Sequence, residues 1–110
     1  MKKSSKIYVA GHTGLIGSAI LKKLKDKGYK NLLYKSHKEL DLTNSQHVSK
    51  FFIENKPEYV FMCAGRAGNL NACIKYPADL FLLNTLIQNN IFKSAIDIDV
   101  KKLVYFSSSC

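Results

Sequence analysis

Along this chain the hydrophobic pattern alternates between two periods. "KIYVA" at residues 6–10 is a short run rich in β-formers that Gly11 closes, and it reads as a first strand. From Gly14 onward, Leu15, Ile16, Ala19, Ile20 and Leu24 return at helical spacing with lysines on the other face, which predicts an amphipathic helix. Gly28 stands where a left-handed residue would end it. "NLLYKS" at residues 31–36 predicts a second strand. "TNSQ" at 43–46 then has the spacing of a capping box, Thr43 first and Gln46 three later. The helix it opens carries Val48, Phe51 and Phe52 on its apolar side, and Lys56 with Pro57 closes it.

"YVFMCAG" at 59–65 is a nearly unbroken apolar run, the pattern of a strand buried on both faces. Pro77 opens a third helix, with Asp79 near the positive end of its dipole and Leu80, Leu83, Ile87 and Ile91 as its buried stripe. "KLVYFSSS" at 102–109 supplies a fourth strand. Strands that alternate with helices imply right-handed crossovers and a parallel sheet covered on both faces, so the fold class is α/β. The expected order is 3-2-1-4, which puts the fourth strand at an edge. There Val104 and Phe106 alternate with Leu103 and Tyr105, an apolar edge that invites self-association.

Composition narrows the function classes. At 110 residues, 46% hydrophobic and 23% charged, the chain suits one globular domain. No apolar run approaches the roughly 20 residues of a membrane span, and "MKKSSK" precedes a strand rather than a signal core. A cytoplasmic setting without a membrane partner is expected. Cys63, Cys73 and Cys110 are odd in number and form no CxxC pair, which supports neither a disulfide framework nor a metal site. The net charge of +9 could attract a polyanion. Lys22, Lys23, Lys25 and Lys27 lie on the outer face of the first helix, however, and no aromatic residues interleave with the lysines. A solvated surface is the better reading, and no nucleic-acid partner is expected.

The chemistry begins with Gly11, Gly14 and Gly17 in the first strand-to-helix turn. Gly11 would permit a tight turn, Gly14 would let the backbone approach a pyrophosphate, and Gly17 would let the helix pack closely on the strand. The helix N-terminus would face the phosphate charge. The spacing is GxxGxxG rather than GxGxxG, but it follows a strand and opens a helix, the context that a dinucleotide site requires. After the second strand, Lys35, His37 and Lys38 precede any acid. An acid there would bind the ribose hydroxyls of NAD, whereas cations suit the 2′-phosphate, so NADP (as NADPH) is favoured.

With "AGHTGLIGSAI", "ELDLTNS", "YPADLFLLN" and "KLVYFSSSC" in place, nearly the whole chain resembles the amino-terminal third of the extended short-chain dehydrogenases/reductases, the NAD-dependent epimerase/dehydratase family. Within these it is most similar to the GDP-L-fucose synthases. The resemblance implies a Rossmann-like doubly wound parallel sheet, of which residues 1–110 would be the amino-terminal four strands with three intervening helices. It implies 3,5-epimerisation of GDP-4-keto-6-deoxymannose followed by NADPH reduction of the 4-keto group, and a homodimer for full-length relatives.

Cofactor contacts would come from Gly11, His12, Thr13, Gly14, Leu15, Ile16 and Gly17, then His37, Lys38, Asp41 and Leu42, and finally Ala64, Gly65 and Ser107. Ser108 matches the catalytic serine that holds the ketone oxygen, and Cys110 matches the epimerisation cysteine. The tyrosine and lysine of a YxxxK motif, the histidine that partners the cysteine, the carboxy-terminal strands and the substrate domain would all lie further downstream. The chain alone is therefore expected to be inactive.

Two departures leave the substrate open: Thr13 stands where many members carry Arg, and "RAGN" at 66–69 stands where they carry "KVGG". Arg66 would face the nucleotide sugar, and an enzyme acting on another nucleotide sugar, such as a heptose, fits as well. Cys63 and Cys73 match no family role and read as packing residues. A non-catalytic NADP-binding module is the competing class.

Overall fold

The structure, a computed structural model, describes residues 1–64 and 77–106. Four parallel strands, β1 (Ile7–Ala10), β2 (Leu32–Leu33), β3 (Tyr59–Met62) and β4 (Lys102–Tyr105), alternate with α1 (Leu15–Asp26), α2 (Ser45–Asn55) and α3 (Pro77–Asp97). The α/β class stands, with each crossover made by a helix.

The strand order is β2-β1-β3-β4, which corrects the expected 3-2-1-4. After β2 the chain recrosses β1 instead of extending the sheet outward, so β3 pairs with β1 from Ile7↔Tyr59 to Ala10↔Met62. The "ELDL" segment that could have added an outer strand joins no ladder. It sends Leu40 and Leu42 into the core instead, each 6% exposed. Direction therefore reverses at β1 while crossover handedness stays fixed, which puts α1 on one face and α2 with α3 on the other.

The two buried clusters record that division. Ile7 and Val9 pack with Leu21 and Leu24 of α1. Tyr8 and Ala10 point the other way, with Val48, Phe51 and Phe52 of α2 and Ile87, Ile91 and Ala95 of α3. The Tyr8 ring lies 4.8 Å from Phe51 and 5.6 Å from Phe52. Leu83 packs at the margin of this cluster, whereas Leu80 and Asp79 lie outside the described side chains.

Several sequence expectations shift. The buried face of α1 is Gly17, Leu21 and Leu24, while Leu15 is 89% and Ile16 45% exposed. The glycine faces the sheet, so the two residues before it face out. The N-cap of α2 is Asn44, whose side chain accepts from the His47 N–H at 3.0 Å. Thr43 is not the cap, because its own N–H and hydroxyl both turn to Asp41 Oδ1. β2 is two residues long, since Tyr34 leaves the ladder to meet His12 and Ser36 is drawn into a turn with Glu39.

β4 does lie at an edge, with Tyr105 41% and Phe106 36% exposed. Tyr105 packs edge-on against Phe92, and its hydroxyl accepts from Gln88 Nε2 at 2.6 Å.

Gly28 closes α1 as expected. Its N–H donates to the Lys25 carbonyl and the Tyr29 N–H to the Leu24 carbonyl, the paired bonds of a Schellman end. Gly28 has φ +89°, and a Cβ there would meet nothing within 4 Å. Gly28→Ala should thus cost backbone strain alone, about 1 kcal/mol. Urea unfolding followed by circular dichroism measures it. A cost above about 3 kcal/mol would mean that side-chain crowding, absent from this geometry, dominates.

Candidate cofactor-binding site

Three backbone segments meet at the carboxyl ends of β1 and β3, and glycine lets them do so. Gly11 has φ +83°, and a Cβ on it would lie 2.6 Å from the Ala64 backbone. Beside it, the Cys63 N–H donates to the Ala10 carbonyl at 2.9 Å. A Cβ on Gly17 would collide with the Gly11 carbonyl, so α1 is seated directly on the turn. Gly11 thus does more than turn the chain: it also admits the end of β3.

Gly14 differs from both. It is the N-cap of α1, with φ −77° and ψ 173°, an ordinary extended conformation. A Cβ there would touch only the Gly11 carbonyl, at a normal 3.6 Å. No packing within the described residues calls for glycine at this position. No side chain caps α1, and its first turn carries no acid. The first-turn N–H groups of a helix have no intrahelical acceptor, and the helix dipole adds positive potential there. Exposed Thr13, Gly14, Leu15 and Ile16 surround this end, and together they form an open cradle for an anion.

The end of β2 forms the second wall. His12 packs against Tyr34 with ring centroids 5.0 Å apart, and the Lys25 ammonium lies 5.0 Å from the Tyr34 ring centre on its other contact. His12 Nδ1 is buried and finds no hydrogen-bond partner among the described residues. An orphaned polar atom beside an open cradle fits a group supplied from outside the protein.

In the following turn, Glu39 accepts from the Ser36 N–H at 3.0 Å while its own N–H donates to Ser36 Oγ at 3.3 Å. The Ser36 hydrogen bonds, chiefly the one from its backbone N–H, hold the Glu39 carboxyl below the usual range, with a smaller contribution from the Lys35 charge. Because the folded value is depressed, this clasp contributes above the unfolded carboxylate pKa and is lost as pH falls through the folded one. Lys35 sits 4.0 Å from Glu39. Of the three cations expected to select the phosphate, His37 and Lys38 are the exposed pair with no ion pair among the described residues.

The loop then passes beneath the crevice. Leu40 and Leu42 join the cluster that contains Ala10 and Met62, with Ala64 packed against it. Asp41 is exposed between them and accepts from the Thr43 N–H at 3.0 Å and its hydroxyl at 2.6 Å. Asn90, reaching across from α3, donates to the Leu42 carbonyl at 2.9 Å. Gly65, Arg66, Cys73, Ser107, Ser108 and Cys110 lie outside the described residues.

The structure therefore brings Gly17 and Ala64 against Gly11, and Leu40 and Leu42 into one cluster with Ala10 and Ala64. Sequence reasoning missed Tyr34, Lys25 and Asn90. An aromatic at the end of the second strand was a usable signal, but nothing in the sequence ties Asn90 to a carbonyl 48 positions away.

Burial pushes the Cys63 thiol up to about 11, so it is protonated at neutral pH and a poor nucleophile. Among the described residues, no group of His, Cys, Asp and Glu could hold a metal, and no helix is long and apolar enough to cross a membrane. A separate groove of about 510 Å³ lies between α2 and α3, lined by Lys50, Glu54, Lys93 and Asp97 among others. Asn90 and Ser94 line the same groove.

Residues 7–110 match the NAD dependent epimerase/dehydratase family. The chain is 48% identical over 110 residues to a protein of Arabidopsis thaliana named putative GDP-L-fucose synthase 2, of which it covers 34%. Among solved structures, a GDP-mannoheptose C4 reductase from Campylobacter jejuni with NADP bound superposes with a TM-score of 0.92 at 44% identity. That alignment covers 97% of this chain and 34% of the other. A GDP-D-glycero-L-gluco-heptose synthase from the same organism, in the presence of NADPH, gives 0.91 at 45% identity, covering 99% of this chain and 32% of the other. The chain thus spans about a third of the length of the curated relatives it matches.

Gly17 and Gly14 should separate in stability measurements. Gly17→Ala should cost about 3 kcal/mol, since the added carbon strikes a backbone carbonyl that cannot withdraw. Gly14→Ala should cost less than about 1 kcal/mol, the scale of an N-cap change. Equal losses in chemical denaturation would mean that Gly14 is held by internal packing rather than left open.

Proposed function

The chain belongs to the NAD dependent epimerase/dehydratase family, and from that premise we propose that it binds NADP and forms the cofactor-binding part of a GDP-sugar epimerase/reductase. The observation that carries this reading is Gly14. Packing within the protein accounts for Gly11 and Gly17, whereas Gly14 leaves open space at an uncapped helix N-terminus, where a pyrophosphate would sit. NADP in the Campylobacter reductase and NADPH with the heptose synthase support the choice of cofactor.

In this reading the N–H groups at the start of α1 hold the pyrophosphate, and His37 with Lys38 hold the 2′-phosphate. The Ser36–Glu39 clasp turns the local acid onto the Ser36 N–H, so its carboxylate competes less with that phosphate for the two cations. Asp41 and Leu42 border the adenosine, while Ala64, Gly65 and Ser107 line the way toward the nicotinamide. NADPH would supply hydride to the 4-keto carbon of the sugar. Ser108 would donate a hydrogen bond to that ketone oxygen, and Cys110 would take part in proton transfer during epimerisation.

The substrate class is a 4-keto sugar carried on GDP. Similarity to both a fucose synthase and two heptose enzymes supports the shared GDP-sugar chemistry. GDP-4-keto-6-deoxymannose is the substrate proposed, with a GDP-heptose as the alternative. Residues 1–110 are read as the amino-terminal part of a longer NADP-binding domain in a cytoplasmic enzyme that assembles as a homodimer.

Calorimetric titration should give NADPH a lower Kd than NADH by about tenfold, the scale of one or two charge-assisted contacts to phosphate. Lys38→Glu should abolish or reverse that preference. Gly14→Val should eliminate binding of both dinucleotides while leaving the circular dichroism spectrum unchanged. Normal NADPH binding by Gly14→Val would remove the turn as the phosphate site.

A second measurement concerns turnover. Hydride transfer in this reading needs the tyrosine and lysine of a YxxxK motif downstream of Ser108; the YxxxK spacing that this sequence does contain, Tyr34–Lys38, follows β2 and is not that pair. The 110-residue chain should therefore bind NADPH without oxidising it when a 4-keto-6-deoxy GDP-sugar is added. Substrate-dependent loss of absorbance at the NADPH band would refute the assignment of catalysis to residues outside it.

A further inference from the structure

The loop between β2 and α2 has an unusual support. Residues 39–43 pass the carboxyl ends of β1 and β3 between two turns, closed by the Leu40 N–H on the Ser36 carbonyl at 2.9 Å and the Asn44 N–H on the Asp41 carbonyl at 3.1 Å, and they pair with no strand, so no ladder fixes the segment against the sheet. Two apolar anchors, Leu40 and Leu42, hold the segment from below. Apolar contact is non-directional and sets depth better than it sets the orientation of peptide groups. Orientation has to come from hydrogen bonds, and the buried one is Asn90 Nδ2 to the Leu42 carbonyl, 2.9 Å long. Asn90 is 8% exposed on α3, between Ile87 and Ile91 of the core stripe and Ser94, one turn on.

A polar side chain in that row costs desolvation unless it is satisfied. An apolar residue would serve α3 packing equally well. What Asn90 adds is one directed bond to a loop 48 positions away in sequence.

We propose that Asn90 is a positioning residue for cofactor binding: it fixes the Leu42 peptide and thereby holds the 39–43 loop at the adenosine end of the crevice. The inference rests on the NADP reading given above and adds to it a residue on the opposite wall of the fold. It also makes a distinctive statement about specificity. NADPH and NADH share the adenine and differ at the 2′-phosphate, so a residue that orients the loop facing the base should affect both alike. Lys38, facing the phosphate, should change their ratio.

The test is calorimetric titration of the chain and of Asn90→Leu with NADPH and with NADH, together with amide hydrogen exchange at residues 40–43. Asn90→Leu should weaken both cofactors by on the order of tenfold, the loss expected when a buried acceptor is stranded, with their ratio unchanged and exchange at 40–43 faster. Ile7→Val, a core change at the start of β1 in the other buried cluster, should lower the melting temperature without moving either Kd. Should leucine not fit, Asn90→Ser strands the same carbonyl with less volume and carries the same expectation. Unaltered Kd values in a folded Asn90 variant would overturn the inference while leaving the NADP reading intact. Equal weakening by Ile7→Val would overturn it too, by showing a general stability effect. A chain that binds neither dinucleotide would overturn the NADP reading itself and this inference with it.

Discussion

Everything at the carboxyl ends of the central strands depends on a contact too close for a side chain. The Gly11 carbonyl receives the α1 backbone at Gly17, and the Gly11 Cα receives the β3 backbone at Ala64. A methyl group on Gly17 would lift α1 off the turn, and one on Gly11 would push away the segment at Cys63 and Ala64. Because α1 is seated so low, its N-terminus opens between β1 and β3 rather than above them. That is the point where the chain reverses direction across the sheet, and a reversal of this kind leaves a crevice that no crossover covers.

The same constraint explains the exposure of Leu15 and Ile16. With Gly17 fixed against the turn, helical periodicity sends the buried face on to Leu21 and Leu24, and the preceding pair must face outward. Two exposed apolar side chains at the rim of an anion cradle are poorly explained by solubility. They are consistent with a helix whose rotation is set by backbone packing.

Charge is distributed along the second wall in a comparable way. Lys25 and His12 both engage Tyr34, and Lys35 lies near Glu39, itself clasped to Ser36. These contacts tie α1, the glycine turn and the end of β2 into one unit and leave His37 and Lys38 exposed. The net charge of +9 is therefore a weak guide to a partner. Most lysines are solvated, so the total says little about any one place on the surface.

Much of this was legible in the sequence, because it is written in local chemistry. The alternation of apolar runs with helical periods gave the α/β class, and Gly11, Gly28 and Pro77 marked turns and helix ends through their own backbone preferences. What it could not supply were properties of pairs distant in the chain. The order β2-β1-β3-β4 was misjudged because a strand's neighbours depend on which side of β1 the second crossover takes. The α2 cap moved from Thr43 to Asn44 because Asp41 competes for the threonine. The length of β2 was cut by contacts of Tyr34 and Ser36 with residues outside the strand. The Asn90 bond to Leu42 has no sequence signal at all. Local propensity acts over a few residues, whereas these outcomes were decided by which surfaces met once the sheet had closed around Gly11.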